Sequence, residues 1–444
     1  MKDREYLISQ SPWKALVAFS LPMMLGNLFQ QLYTMTDSVI VGRYVGEDAL
    51  AAVGASYSLT SVFIAVAIGG GVGGGVLVSR GFGSRDYDDM KEAVSTSLVA
   101  FLALSILMAA FGYLFSQDIM RALNTPADIL DDAVLYLRIY FLGLPFLFMY
   151  NILSSTFNAL GRSRIPLYFL VFSSLLNVVL DLFMVAVLDM GIAGAAWATL
   201  IAQGLSACLS FIVLLRVLSS FDGRASRLFD LSTSLKMVRL AIPSILQQST
   251  VSIGMMLVQS VVNGFGSQVL AGYSAGMRLE NIATVPMVSI GNAMSSYTAQ
   301  NLGAGRQDRV VKGYRASYAM VLFFALVIML VFELAPTSLV GMFIGADGTA
   351  SAYATGTSYL RFMGWFFAII GFKMATDGLL RGSGDVRVFT LANIVNLTTR
   401  VVFSFLLSPV VGVAMVWYIV PVGWLLNWGI SLTGYLRGVW KRAM

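Results

Sequence analysis

Gly26–Arg43 reads GNLFQQLYTMTDSVIVGR, and Asp37 within it is the only acid between Glu5 and Glu47. The stretch lies inside an apolar segment, Ala15–Val45, long enough to cross a bilayer as a helix. Helical spacing puts Asn27, Gln30, Thr34 and Asp37 at i, i+3, i+7 and i+10, a polar stripe down one face. Such a stripe either glues neighbouring helices together or marks a functional site. The carboxylate at its end favours the second reading, because an ionisable group inside a span is costly to keep.

Working outward, the whole chain has the composition of a polytopic membrane protein. Its 444 residues are 57% hydrophobic and 12% charged, where soluble domains average about 25% charged. Twelve apolar segments follow one another, at 13–45, 52–79, 93–115, 134–158, 166–189, 192–216, 237–262, 274–298, 313–335, 356–380, 388–408 and 411–436. Each is long enough for one membrane helix. The start, MKDREYLISQSPWK, is polar and lacks the pattern of a cleavable signal. The single cysteine, Cys208, excludes a disulfide framework, and the absence of histidine excludes His-based relays, metal sites and triads.

The net charge of +6 is explained by topology rather than by an acidic partner. With both termini in the cytoplasm, the inner ends and loops carry most of the 29 Lys and Arg, from Lys2 and Arg4 to Lys441 and Arg442. The outer ends carry only Arg43, Arg121, Arg138 and Arg361, and the spans only Arg278, Lys373 and Arg400. This is the positive-inside pattern.

The chain also repeats itself. Phe19-Ser-Leu-Pro22 answers Leu240-Ala-Ile-Pro243, and Leu50-Ala-Ala answers Leu270-Ala-Gly. Gly83-Ser-Arg-Asp86 answers Gly305-Arg-Gln-Asp308, and Gly161-Arg-Ser-Arg164 answers Gly384-Asp-Val-Arg387. The expected plan is all-α, with twelve transmembrane helices in two six-helix lobes related by a parallel repeat. The lobes are 1–218 and 235–444, joined by a cytoplasmic linker at 219–234. Two-lobe designs of this kind suit alternating access. No P-loop is present, so transport is either driven by an ion gradient or downhill. Gly69–Gly75, GGGVGGG, lies within the second segment and lacks a P-loop lysine, so it reads as close helix packing or a kinked span.

Further polar residues lie in the spans. Ser173, Asn177 and Asp181 share one face of segment five. Asn151, Ser155 and Asn158 lie in segment four, and Thr199 and Gln203 in segment six. Asp37, Asp181 and the neutral oxygens around them suit Na⁺, a hard cation. Two adjacent carboxylates in a low dielectric equally suit a shared proton. Segment seven has Gln247, Gln248, Ser252 and Gln259 but no acid. Lys373 and Asp377, at i, i+4, are expected to pair structurally. Glu280 stands equally open to substrate contact or pairing. Prolines 22, 145, 243, 286 and 421 fall inside spans, and the methionines, Met35 and Met255 among them, suit an adaptable apolar lining.

These residues resemble a known family. Pro22, Gly26, Asn27, Gln30, Gln31, Tyr33, Asp37, Val41, Gly42 and Arg43 match the first-helix pattern of the multidrug and toxic compound extrusion (MATE) transporters. Leu176-Asn177-x₃-Asp181 and the run Gly191–Thr199 match further motifs. Ala299–Arg306 and Leu380–Asp385 match those of the second half. The resemblance implies efflux of cationic, amphipathic compounds by H⁺ or Na⁺ antiport, with no cofactor and no enzymatic activity. Within the branch similar to DNA-damage-inducible protein F it implies that Asp37, Asn177, Asp181 and Thr199 form the cation site, the place for Na⁺ if sodium couples. Gln247 and Gln248 stand where another branch carries a glutamate, which argues against a second ion site there.

Expected substrate contacts are Gln30, Gln31, Thr34, Met35, Asn151, Gln248, Met255, Gln259, Glu280 and Arg400. The expected partners are small organic cations and the lipid bilayer, with no nucleic acid, for a monomer in the inner membrane. A lipid-linked oligosaccharide flippase is the alternative, but it needs a long basic cavity, and three basic residues in the spans make a poor one. A paired-aspartate protease is a third class that composition alone leaves open.

Overall fold

A computed structural model describes residues 5–123, 125–345 and 348–442, with the backbone alone at 47, 48, 50, 58, 250, 251, 253, 256 and 442. Lys2 and Arg4, counted above on the inner side, lie outside the described residues. The chain is helical almost throughout, with no strand among the described residues. The first six spans are α1 (Pro12–Tyr44), α2 (Glu47–Ser84), α3 (Tyr87–Ala122), α4 (Leu130–Ala159), α5 (Arg164–Asp181) and α6 (Gly191–Leu218). The second six are α7 (Leu231–Asn263), α8 (Ser267–Gly303), α9 (Gln307–Leu334), the pair α10 (Ala350–Gly364) and α11 (Phe367–Ser383), α12 (Val386–Val411) and α13 (Met415–Leu436).

The twelve apolar segments thus map onto these helices in order. Two depart from a single straight α-helix. The tenth is broken between α10 and α11, which meet at 55°. The fifth leaves α geometry after Asp181 and continues as a π turn over Leu182–Val187. Nine helices among the described residues are long and apolar enough to cross a membrane, and the bent pair makes a tenth. The remaining two, α7 and α8, have 33 and 37 residues. In α8 the low apolar content has a packing reason. Ser289, Ser295, Thr298 and Asn301 are buried against protein, so this helix meets little lipid.

The chain divides into two compact units, Leu25–Ile245 and Met1–Met24 with Leu246–Met444. We refer to them as the N-terminal and C-terminal units. They differ from the chain halves read from the repeat. The first part of α1 packs with the C-terminal unit, and the first part of α7 with the N-terminal unit.

In the N-terminal unit, the glycines of α2 let three helices approach at once. A Cβ on Gly74 would meet Ser97 Oγ of α3, and one on Gly71 or Gly75 would meet Ser155 of α4. One on Gly73 would lie 2.7 Å from the Met237 carbonyl of α7. Ser155 Oγ donates to the Gly71 carbonyl at 2.5 Å, a bond that only so close an approach permits. Phe63, Phe101, Phe141 and Phe148 fill the core beside this seam.

Candidate functional site

In the N-terminal unit, α1, α5 and α6 bring Asp37, Asn177, Asp181 and Thr199 together. Asn177 and Asp181, one turn apart on α5, are buried at 1% and 0% exposure. With its amide oriented to satisfy both ends, Asn177 Nδ2 donates to Asp181 Oδ2 at 2.8 Å. Its Oδ1 accepts from the backbone N–H and the hydroxyl of Thr199, both at 3.2 Å. The α6 chain can come this close because its first turn is small. Gly191 adopts φ +57°, and a Cβ on Gly194 would sit 3.2 Å from the Met184 carbonyl in the π turn.

The carboxyl groups of Asp37 and Asp181 face each other within hydrogen-bonding reach. An ionised carboxylate is an acceptor only, so a bond between them needs one proton. Each also keeps its Oδ1 buried with no hydrogen-bond partner among the described residues. Two orphan oxygens beside a shared carboxyl contact are suited to a cation, either a proton or a hard metal ion.

Tyrosines frame this cluster, and the sequence reading missed them as site residues. Tyr33 lies one turn before Asp37, within electrostatic reach of both aspartates. Tyr136 of α4 lies within electrostatic reach of both aspartates. A cleft beside it is lined by Tyr136, Tyr140, Gly143, Leu147, Ala196, Thr199, Leu200 and Gln203. The i, i+4 spacing of Tyr33 and Asp37 was a usable signal. Nothing in the spacing of α4 singled out Tyr136.

None of the substrate contacts expected in this unit is hydrogen-bonded to the four among the described residues. Gln30, Thr34 and Met35 are exposed, and Gln31 is half-buried. The Thr34 hydroxyl donates to the Gln30 carbonyl of its own helix at 2.9 Å. Asn151 is half-buried and donates to the Leu147 carbonyl at 2.8 Å.

Two polar groups of the C-terminal unit contain the residues singled out from the sequence. In the first, Lys373 Nζ lies 3.3 Å from Asp377 Oδ2, with both side chains 3% exposed. Asn393 Oδ1 accepts from Lys373, Gln247 and Asn427 at 3.2, 3.3 and 3.2 Å. Ser431 Oγ donates to Asp377 Oδ1 at 2.7 Å. Gln247 belongs to this network. Gln248, Met255 and Gln259 are half-buried on the same helix. In the second group, the Tyr359 hydroxyl donates to Glu280 Oε2, and Arg400 lies within electrostatic reach of Glu280.

A model of the family described as MatE matches residues 22–183 and 243–406. The two matches begin at Pro22 and Pro243, the prolines that end the first repeated motif. Among curated relatives, the probable multidrug resistance protein YpnP of Bacillus subtilis (strain 168) is 32% identical over 430 residues, 96% of each chain. The multidrug export protein MepA of Staphylococcus aureus (strain MRSA252) is 24% identical over 424 residues, 94% of this chain and 92% of its own. Among solved structures, a MATE in complex with MaL6 superposes with a TM-score of 0.92 at 23% identity over the whole of both chains. A MOP superfamily transporter from Pyrococcus furiosus superposes at 0.90 with 24% identity over 98% of each. These two likenesses establish the fold.

Proposed function

We propose that this chain, which belongs to the MatE family, is a cation-coupled antiporter that exports cationic, amphipathic compounds by alternating access. The observation that carries the reading is the facing pair Asp37 and Asp181, held by Asn177 and Thr199 inside one unit. The names of the relatives, multidrug resistance and multidrug export proteins, support drug export. The distribution of Lys and Arg supports cytoplasmic termini in the inner membrane of a bacterium.

In this mechanism a proton or Na⁺ entering from outside binds at Asp37 and Asp181. Asn177 fixes the orientation of the Asp181 carboxylate, and Thr199 fixes Asn177. Binding drives transport only if the ion prefers one conformational state, so its free energy of binding must differ between states. The carboxyl–carboxyl contact supplies such a difference, since it is stable only with a shared proton or a cation in place. Gln30, Gln31, Thr34, Met35 and Asn151 of the N-terminal unit are proposed to contact the drug, as are Gln248, Met255, Gln259, Glu280 and Arg400 of the C-terminal unit.

The test is dye efflux from proteoliposomes under separately imposed proton and Na⁺ gradients. Wild type should respond to at least one gradient, and Asp37→Asn should respond to neither while still inserting in the membrane. Gradient-driven efflux by Asp37→Asn at the wild-type rate sinks the assignment.

A further inference from the structure

Arg400 lies on α12 in the C-terminal unit and is half-buried. Its Nε is buried without a hydrogen-bond partner, and no ion pair holds it among the described residues. An arginine inside a membrane protein is costly and is normally paired with an acid or with carbonyl oxygens. Glu280 is the acid within electrostatic reach, yet its carboxylate is engaged by the Tyr359 hydroxyl. The two opposite charges are therefore held near each other and apart.

Two further polar atoms near this pair lack partners. Asn396, one turn before Arg400, is 7% exposed and its Oδ1 is unpartnered. Trp417 is 2% exposed and its Nε1 is unpartnered. Gly423 of α13 packs beneath Asn396 and Arg400, where a Cβ would strike Asn396 Oδ1 and lie 3.2 Å from Arg400 Cγ. Aromatic rings complete the surroundings. Tyr359 stands 5.7 Å from Trp417 and 5.6 Å from Tyr273, both edge to face.

We propose that Arg400 and Glu280 form a recognition site for a zwitterionic aromatic substrate, Arg400 taking a carboxylate and Glu280 a protonated amine. The unpartnered N–H groups of Arg400 and Trp417 are donors suited to an oxyanion. Glu280 and Asn396 Oδ1 are acceptors suited to an ammonium or amidinium, and the rings offer flat apolar contact for the body between. Arg400 is thus a specificity residue, selecting substrates that bear an acid besides their cation. The inference rests on the exporter reading above, which by itself requires only a cationic substrate.

The experiment compares a zwitterionic rhodamine carrying a free carboxylate with the methyl ester of the same dye. Binding is measured by fluorescence polarisation on purified protein, and efflux is measured in proteoliposomes. Wild type should bind the free acid more tightly than the ester. A charge-assisted carboxylate–guanidinium bond is worth about tenfold to hundredfold in affinity. Arg400→Gln should remove that preference, weakening binding of the free acid by at least about tenfold more than binding of the ester. Arg400→Lys should retain part of it, since the charge stays and the fork geometry goes. Glu280→Gln should weaken both dyes.

Equal affinity of wild type for acid and ester overturns the proposal without recourse to any variant. So does an equal loss of both dyes in Arg400→Gln. Failure of wild type to move either dye under any gradient would instead count against the exporter reading.

Discussion

Breaking the Lys373–Asp377 pair from either side should destabilise the C-terminal unit unequally, and removing both charges should restore most of the loss. The pair is 3.3 Å apart and both side chains are 3% exposed, so neither charge has water to fall back on. Removing one partner of a buried pair costs about 3–5 kcal/mol. In Lys373→Met, Asp377 keeps the Ser431 hydroxyl at 2.7 Å and the Asn393 amide at 3.5 Å. The loss should sit near the lower figure. In Asp377→Leu, Lys373 keeps only the Asn393 carbonyl at 3.2 Å among its described partners, so the loss should sit near the upper one. For a domain of about 200 residues, 1 kcal/mol moves Tm by roughly 2–4 °C. The expected falls are therefore about 6–12 °C and about 10–20 °C. They would be read by intrinsic tryptophan fluorescence on detergent-solubilised protein. The double variant, Lys373→Met with Asp377→Leu, should recover to within about 2 kcal/mol of wild type and should still export dye. Single variants that melt like wild type would refute the idea that the pair is structural. So would a double variant that melts like wild type and exports nothing, because the charges would then belong to transport.

Two further outcomes test the packing. Gly73→Ala should cost about 1–3 kcal/mol in thermal stability, because the new methyl meets the backbone of Met237 and Ala241, which cannot rotate away. Gly54→Ala, with nothing within 4 Å, should be neutral or stabilising by comparison; equal effects at the two positions would contradict the packing account. Arg309→Ala should free the N-terminal turn Tyr6–Ser9, since Arg309 Nη2 donates to the carbonyls of Leu7 and Gln10 at 3.1 and 2.5 Å. Amide exchange over residues 8–14 should then accelerate at least about tenfold by hydrogen-exchange mass spectrometry, the cost of one or more charged hydrogen bonds. Unchanged protection there would show that the turn is held by other contacts.

Span positions were legible because membrane helices announce themselves by length and apolarity, and even the small-residue seam Gly69–Gly75 carried a readable packing signal. The first-unit cluster was partly legible. Asn177 and Asp181 share a face by spacing alone, and Asp37 stands out as an isolated acid in a long apolar run. Tyr136 was not legible, because its approach to the aspartates depends on how α4 packs, which spacing along one helix does not encode. The break between α10 and α11 was invisible for a related reason. No proline or charge marks Trp365 and Phe366, so the apolar run continues across the bend. The π turn after Asp181 likewise follows a sequence, LFMVAV, that any helix would accept. In the second unit the glutamine pair was ambiguous by one residue, and only the fold turns Gln247 rather than Gln248 onto Asn393.

The exchange of segments between units has a physical logic that the repeat helps to expose. Each crossing helix is preceded by a peptide strapped to the unit in which that helix begins. Residues 7 and 10 are held by Arg309 and Asn301 in the C-terminal unit. The linker is held in the N-terminal unit, where Lys91 Nζ donates to the carbonyls of Phe221 and Gly223, both at 2.8 Å. Asp88 there accepts from the Arg224 N–H at 2.7 Å, and Thr96 Oγ1 from the Asp230 N–H at 3.1 Å. Most of these bonds end on backbone groups, so the captured peptides need no side-chain signature, and composition cannot reveal them. The crossings fall after Met24 and after Ile245, each two residues beyond a proline, Pro22 and Pro243. A proline has no N–H for the carbonyl four residues earlier, so the helix ladder is already interrupted just before the chain changes unit. A strap at the start of the helix and a missing rung before its crossing point thus mark one place in α1 and one in α7. Both places recur at the repeat spacing, so the duplication preserved the crossing as well as the spans.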